Sequence, residues 1–390
     1  MNRNHSKLVS DRTMLAALIA IPLISCTPEP ATVPETTTTS DEIAAMTDRV
    51  SIEFIGEARL PTGLIVAETE FGGISGITYD AKNEVYYAIS DDRSQKAPAR
   101  FYTFKLELEP VKVLPDITAT TLLDQNQPFA SGSLDPEGIA VTDRTLSGEQ
   151  RIYIASEGDR DREIKPFINE FSLDGQLIRI FPIPDQVLPA PNTEQGFRNN
   201  LSLESLTIVP NGDILFSATE NALIQDGLPP DINQGTACRI FQYNLQLGYL
   251  QQQFLYLTEP VAAAANPPDS FQTNGLVELL AIDNTNLLSL ERSYSNGVGN
   301  TILLFEVSLE TASDIQNIDS ISEEVDIGEI QPADKRLLLD LRSLNIPLDN
   351  IEGMTFGPTL PDGRRSLILI SDNNFNPLQV TQILVFAIGS

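Results

Sequence analysis

The 390-residue chain has one histidine, His5, no tryptophan and two cysteines, Cys26 and Cys238. The shortage of histidine excludes the most. His5 precedes an apolar run, Met14 to Ile24, too short to span a membrane and shaped like a signal-peptide core. With that leader removed the chain has no imidazole. A Ser-His-Asp triad or a Cys-His pair is then impossible, and so is zinc held by histidines. Any catalysis must run on carboxylates, lysine or arginine, tyrosine, hydroxyls or an oxygen-ligated metal. Basic residues are scarce as well: 25 Lys and Arg stand against 54 Asp and Glu, a formal charge of -29. Such a surface repels nucleic acid and anionic lipid, so neither is expected as a partner. Solubility alone also accounts for it.

The cysteines divide by position. Leu23-Ile24-Ser25-Cys26 resembles a bacterial lipobox, which makes residues 1–25 an expected lipoprotein signal peptide and Cys26 the lipidated first residue. An ordinary cleaved signal peptide would equally give export. Residues 26–48, rich in Thr, Pro and Glu, read as a disordered tether. The expected location is the cell envelope, reached only through the lipid. Thr27, which is not Asp, leans toward an outer membrane. Cys238 then has no intramolecular disulfide partner. In TACRIFQYNL it reads as a buried, inert thiol.

Helix-period segments are almost absent. Short β-branched and aromatic runs such as VYYAIS, RIYIAS, DILFSA and SLILIS alternate with Gly, Pro, Asn and Asp turns, predicting an all-β domain over residues 49–390. Five stretches repeat: GGISGITYD with VYYAISDD, DPEGIAV with RIYIASEG, SLESLTIVPNGDILFSATE, LVELLAIDNTNLLSLERS, and NIEGMTFGP with SLILISDNN. They recur roughly every 62 to 74 residues. Two further strands usually follow, and four strands per repeat predict propeller blades. The last repeat lacks a strand, and RVSIEFIGEARL near residues 50–60 would supply it and close the ring. Five blades are predicted. Six is the alternative, with residues 293–349 as the place for a degenerate blade.

Aligned by residue type, the repeats give two rings. Ser75, Glu137, Glu204, Glu278 and Glu352 precede the first apolar pair; Asp91, Glu157, Glu220, Glu291 and Asp372 close the next strand. In a propeller, equivalent positions share a height around the axis. So many converging carboxylates need neutralising. Hard cations, arginines or backbone N–H staples between blades would each do it, and the strand-end set is the candidate metal ligand set, for Ca²⁺ or Mg²⁺. No organic cofactor is expected. Arg93, Lys96, Arg100, Arg160, Arg162, Lys165 and Arg292 lie just past the strand ends, as a basic rim for an anionic ester, or merely as charged, solvated loops.

DPEGIAV, GFRNNLSLESLTI, VELLAIDNTNLLSLERS and above all NIEGMTFGPTLPDGRRSLILISDNNF resemble the phytase-like, "esterase-like activity of phytase" family of bacterial exported proteins, over roughly residues 50–388. That resemblance implies a propeller and hydrolysis of phosphoric or other esters, carried at Glu137, Glu204, Glu278, Glu291, Arg292, Glu352, Asp372 and Asn373. Ser205 departs from the family's usual Gly. Metal dependence is inferred from the acid rings and not from the family. The resulting expectation is a monomeric, lipid-anchored hydrolase of small anionic esters. Glu157, Glu291, Arg292 and Asp372 are its candidate catalytic residues, and Arg93, Lys96, Arg100, Arg160, Arg162 and Asn373 would bind substrate. A non-catalytic ligand- or protein-binding propeller is the alternative, and a structural envelope protein whose acids only staple blades is a third.

Overall fold

The computed structural model describes residues 51–109, 112–127, 129–189, 194–321 and 327–389. The leader, Cys26 and the tether lie outside these residues. Residues Arg49–Ser390 form one compact unit.

The strands run β1 (Ser51–Pro61), β2 (Ile65–Val66), β3 (Thr69–Glu70), β4 (Ile74–Asp80), β5 (Val85–Ser90), β6 (Arg100–Glu109), β7 (Lys112–Leu122), β8 (Pro136–Thr142), β9 (Arg151–Ser156), β10 (Phe167–Ser172) and β11 (Leu177–Phe181). They continue with β12 (Leu203–Ile208), β13 (Ile214–Thr219), β14 (Ala237–Asn244), β15 (Tyr249–Leu257), β16 (Gln272–Ala281), β17 (Asn286–Ser295), β18 (Gly299–Ser308), β19 (Asp334–Asp340), β20 (Asn350–Thr359), β21 (Arg365–Asp372) and β22 (Val380–Gly389). Apart from the small β2–β3 ribbon, they form five four-stranded antiparallel sheets. Blade one is β4 to β7, blade two β8 to β11, blade three β12 to β15 and blade four β16 to β19. Blade five takes β20, β21 and β22 from the C-terminal end and β1 from the N-terminal end. Strand β1 pairs along β22 from Ser51 with Gly389 to Pro61 with Val380. The ring is therefore closed by the strand the sequence left unassigned, and the propeller has five blades.

The core is divided among the blade interfaces. One cluster joins Phe216, Ile240 and Tyr256 of blade three to Leu276, Leu287 and Phe305 of blade four. Equivalent clusters lie between blades two and three, four and five, five and one, and one and two. Each sheet buries both faces, which is why its strands read as near-continuous apolar runs. No degenerate blade hides in 293–349. That stretch supplies the end of β17, then β18 and β19, and a connection whose Ile315, Ile321 and Ile330 pack on Ala237 and Leu255 of blade three.

The innermost strands are β4, β8, β12, β16 and β20. Each carries a β-bulge where it pairs with the second strand of its blade. A bulge adds one unpaired residue and re-aims its side chain. The extra residues are Ser75, Glu137, Glu204, Val277 and Glu352. Each bulge is followed by Gly76, Gly138, Ser205, Glu278 or Gly353. The neighbouring blade crowds that position: a Cβ on Gly138 would lie 2.6 Å from the Leu206 Cβ.

Candidate functional site: an acidic mouth with one inward arginine

The bulges set one level of the axis. The ends of the second strands set the next. Asp91 N donates to Gly73 O, Glu157 N to Asp135 O and Glu220 N to Ser202 O, while Arg292 pairs with Gly275 and Asp372 with Asn350. The upper level is thus Asp91, Glu157, Glu220, Arg292 and Asp372. In blade four both levels differ from the alignment by residue type. The bulge residue is Val277 and the strand-end residue is Arg292. Glu278 and Glu291 each sit one position away, and in a strand one position reverses the side chain's direction.

Glu291 is consequently not at the mouth. It is wholly buried and accepts hydrogen bonds from Lys335 Nζ at 2.6 Å, Glu259 N at 2.7 Å, Tyr256 Oη at 2.8 Å and Asn274 Nδ2 at 3.0 Å. Glu278 occupies the crowded glycine position. Its Oε1 accepts from Leu279 N at 3.0 Å and Leu206 N of blade three at 3.3 Å, and its carboxyl also takes a backbone bond from Met354 of blade five. Burial raises it well above the usual carboxyl range. It is a staple between inner strands.

A cavity of about 930 Å³ opens at this end of the axis. Ser75, Asp91, Asp135, Glu137, Glu204, Glu220, Glu352 and Asp372 line it, with Arg59, Arg93 and Arg292 as cations. Glu157 lies directly behind them. One carboxylate oxygen from each of Asp135, Glu137 and Glu157 falls within 4.8 Å of the others, and the same holds for Glu157, Glu204 and Glu220. Asp135 thus faces Glu137, and Glu157 faces Glu204, carboxyl against carboxyl. Such pairs require a shared proton or a cation in its place.

Burial first, and then the facing carboxylates, push these groups up. Glu137, Glu157, Glu204 and Asp372 are raised well above the ordinary range. Asp91 is raised by burial and then by Asp135 to about 7. Asp135 is raised by burial to about 6, against the pull of Arg93. Glu220 is raised by burial to about 7, against the pull of Arg292. Arg292 Nη2 lies 2.8 Å from Glu352 Oε1 and 3.5 Å from Glu220 Oε1. Asp91 Oδ1 and Glu220 Oε1 are buried and accept no hydrogen bond. An all-oxygen donor set with unsatisfied carboxylate oxygens fits a hard divalent cation.

The expected basic rim does not assemble. Arg93 lines the mouth and pairs with Asp135 and Asn200. Arg100 is buried, held by Asp92 Oδ2 at 2.6 Å, Tyr102 Oη at 2.7 Å and Glu70 O at 3.1 Å. Lys96 is bound to Glu70 at 2.9 Å and lies over the Phe375 ring. Arg160 donates to the carbonyls of Gln195 and Phe197, and Arg162 is exposed against Gly132. Asn373 is buried and fixes a turn: its Oδ1 accepts from Phe375 N at 3.0 Å and Gly73 N at 3.1 Å. None of these five lines the cavity. Cys238 is buried, its Sγ donating to Glu220 O at 3.1 Å, and burial raises its thiol well above the usual value.

Residue-type alignment missed Asp135 and Asn350. The signal was present: DPEG and NIEG both place an oxygen-bearing residue two positions before the bulge glutamate. It also missed Phe271, Tyr294, Leu348 and Leu378 at the cavity's edge.

A family model described as "Phytase-like: Esterase-like activity of phytase" matches residues 69–375. No curated protein matches the chain. Solved structures similar to it include an endo-arabinase from Bacteroides thetaiotaomicron, at 12% identity over 85% of this chain and 97% of that one, TM-score 0.39. The tail fiber of Staphylococcus aureus phage P68 aligns at 15% identity over 87% of this chain and 52% of that one, TM-score 0.40. The Dos1 propeller aligns at 8% identity over 83% and 69%, TM-score 0.36.

Proposed function

The chain belongs to the phytase-like, esterase-like family, and from that premise we propose that the acidic mouth hydrolyses small phosphoric or related anionic esters with the help of a bound Ca²⁺ or Mg²⁺. The observation that carries the reading is the excess of carboxyl groups over cations within one 930 Å³ cavity. Asp135, Glu137, Glu157, Glu204 and Glu220 would hold the cation. A bound dication polarises a phosphoryl oxygen and offsets the repulsion among the carboxylates. The chain's own residues do the rest. Arg93, about one-third exposed at the rim, meets the anionic oxygens of the ester. Arg292 holds Glu220 and Glu352 in place and keeps positive charge beneath the reacting group. With no imidazole available, proton transfer falls to a carboxyl whose affinity lies near neutrality. Asp91, raised to about 7 and outside that ligand set, meets the requirement. On this reading the leader is an export signal and Cys26 the lipid anchor, so that the chemistry would take place outside the cytoplasm.

The test is hydrolysis of phosphomonoesters and carboxyl esters with Ca²⁺, Mg²⁺ or EDTA. Turnover that needs a divalent cation and disappears in Glu157→Gln supports the reading. If no ester is turned over under any metal condition, the catalytic reading fails, and a binding propeller remains.

A further inference from the structure

The mouth is asymmetric in a way the acid rings do not explain. Its carboxyls come from blades one, two, three and five. The cavity's apolar lining comes from the arc of blades four and five, where it is interleaved with amides and Asp349. Phe271 stands just before β16 and is 63% exposed, and Leu378 in the β21–β22 turn is 91% exposed. Tyr294 and Leu348 complete the arc, and all four line the same cavity as the carboxyls. The Phe271 and Tyr294 rings lie 6.1 Å apart, with Tyr294 Oη donating to Asn296 Oδ1 at 3.1 Å. The aromatic faces are thus held up beside the opening.

Charge gives the second constraint. The cations lining the cavity are Arg59, Arg93 and Arg292. Arg59 is tied to Glu57 and to Pro347 O at 3.1 Å, Arg93 to Asp135, and Arg292 to Glu352 and Glu220. Lys96, Arg100 and Arg160 are engaged elsewhere, and Arg162 does not line the cavity. A polyphosphorylated substrate would bring many negative charges to a mouth that has few cations to meet them. A substrate with one anionic group and one apolar group meets both features at once.

We infer that the preferred substrate is an ester with a single anionic head group and an aryl or alkyl group, with the head among Arg93 and the carboxyl-bound cation and the apolar group on Phe271, Tyr294 and Leu378. This rests on the proposed ester-binding role of the mouth and narrows it to a substrate class. Burial of an aromatic group against such a lip is worth about a tenfold gain in affinity.

Direct binding separates this inference from the catalytic reading. Phenylphosphonate, methylphosphonate and myo-inositol hexakisphosphate are titrated calorimetrically into the Ca²⁺-loaded full domain, wild type and the variants Phe271→Ala and Leu378→Ser. Both side chains are exposed, so the variants keep the wild-type melting temperature. The expected result is a preference for phenylphosphonate over methylphosphonate of about tenfold, and weaker binding of the hexakisphosphate. Both variants collapse the phenyl-over-methyl preference. Tighter binding of the hexakisphosphate overturns the inference, as does an unchanged preference in both variants or no binding of any phosphonate. Hydrolysis plays no part in this readout. Absence of turnover with intact phenyl selectivity would sink the catalytic reading alone.

Discussion

Blades three and four have the same four-stranded form and similar sequences at their inner edges, SLESLTI with SATEN and LVELLAI with LERS, yet they present opposite charges to the axis. Blade three turns Glu204 and Glu220 inward. Blade four turns in only Arg292; its bulge residue Val277 packs into the core shared with blade five, and its two glutamates go elsewhere: Glu278 into the packing between inner strands, Glu291 into a buried cluster with Lys335. A one-residue difference in where the acids fall relative to the bulge produces all of this. It gives the mouth its one inward, deeply placed cation, Arg292, among Glu204, Glu220 and Glu352. The same residue type therefore has two physical roles in neighbouring blades, and mutation should separate them.

The largest contrast is expected between Glu291 and Glu220. Glu291→Ala leaves the buried donors Tyr256 Oη, Asn274 Nδ2 and Glu259 N without their acceptor and leaves Lys335 with only the half-exposed Glu259 as its carboxylate. Breaking a buried pair in this way costs about 3–5 kcal/mol, read as a lower urea midpoint. Glu220→Gln removes one of many repelling charges and should leave stability unchanged or improve it. Equal losses in both would erase the distinction between the blades.

Arg292→Met should follow, at about 2 kcal/mol in chelator at pH 8. Its side chain is the counter-charge to Glu352 and Glu220, and burial has raised both acids. The loss should shrink as the pH falls below about 7, where Glu220 takes up its proton, and when Ca²⁺ is added. A loss independent of both pH and calcium would mean that Arg292 is a packing residue.

The pH profile of the wild type follows from the same charges. Asp91, Asp135 and Glu220 hold protons to about 7, 6 and 7 in the folded protein and release them near 4 when unfolded. Between those values the folded state binds more protons, so stability in EDTA falls as pH rises from about 4 to 7. Ca²⁺ should raise the melting temperature at pH 7.5 and do little at pH 4.5. A melting temperature that rises with pH in EDTA would contradict the electrostatics of the mouth.

The smallest effect is expected at Glu278. Burial raises its carboxyl well above the usual range, and its partners are backbone N–H groups of the inner strands. Glu278→Gln keeps the Oε1 acceptor of the Leu279 and Leu206 N–H groups and should cost about 1 kcal/mol, measured by thermal melts. A large loss would show a charged role that the staple does not have.

Much of the architecture could be read from the sequence. The β-branched runs, the turn residues between them and the repeat of about four strands specify blades, and the missing last strand points to RVSIEFIGEARL as the closure. Which acids face the axis was legible in four blades, because the acid follows a Ser or Thr at the end of the second strand: Ser90, Ser156, Thr219 and Ser371. In blade four that place is taken by Glu291, and an alignment of acids on acids slips by one residue. The bulge that decides the register has no residue signature of its own when Gly is replaced by Ser205 or Glu278. The basic rim failed for another reason. Arg100 and Asn373 carry polar atoms that the local backbone and Asp92 consume, and a sequence gives no measure of which polar groups are already satisfied.

The most direct measurement is calorimetric titration of Ca²⁺ at pH 7.5 into the wild-type domain and into Glu157→Gln, the carboxyl shared by both oxygen clusters. A saturable wild-type signal that Glu157→Gln loses, with Glu291→Gln binding as the wild type does, is the predicted result. No saturable signal in the wild type, or equal binding in Glu157→Gln, would contradict the assignment of the mouth as a cation site.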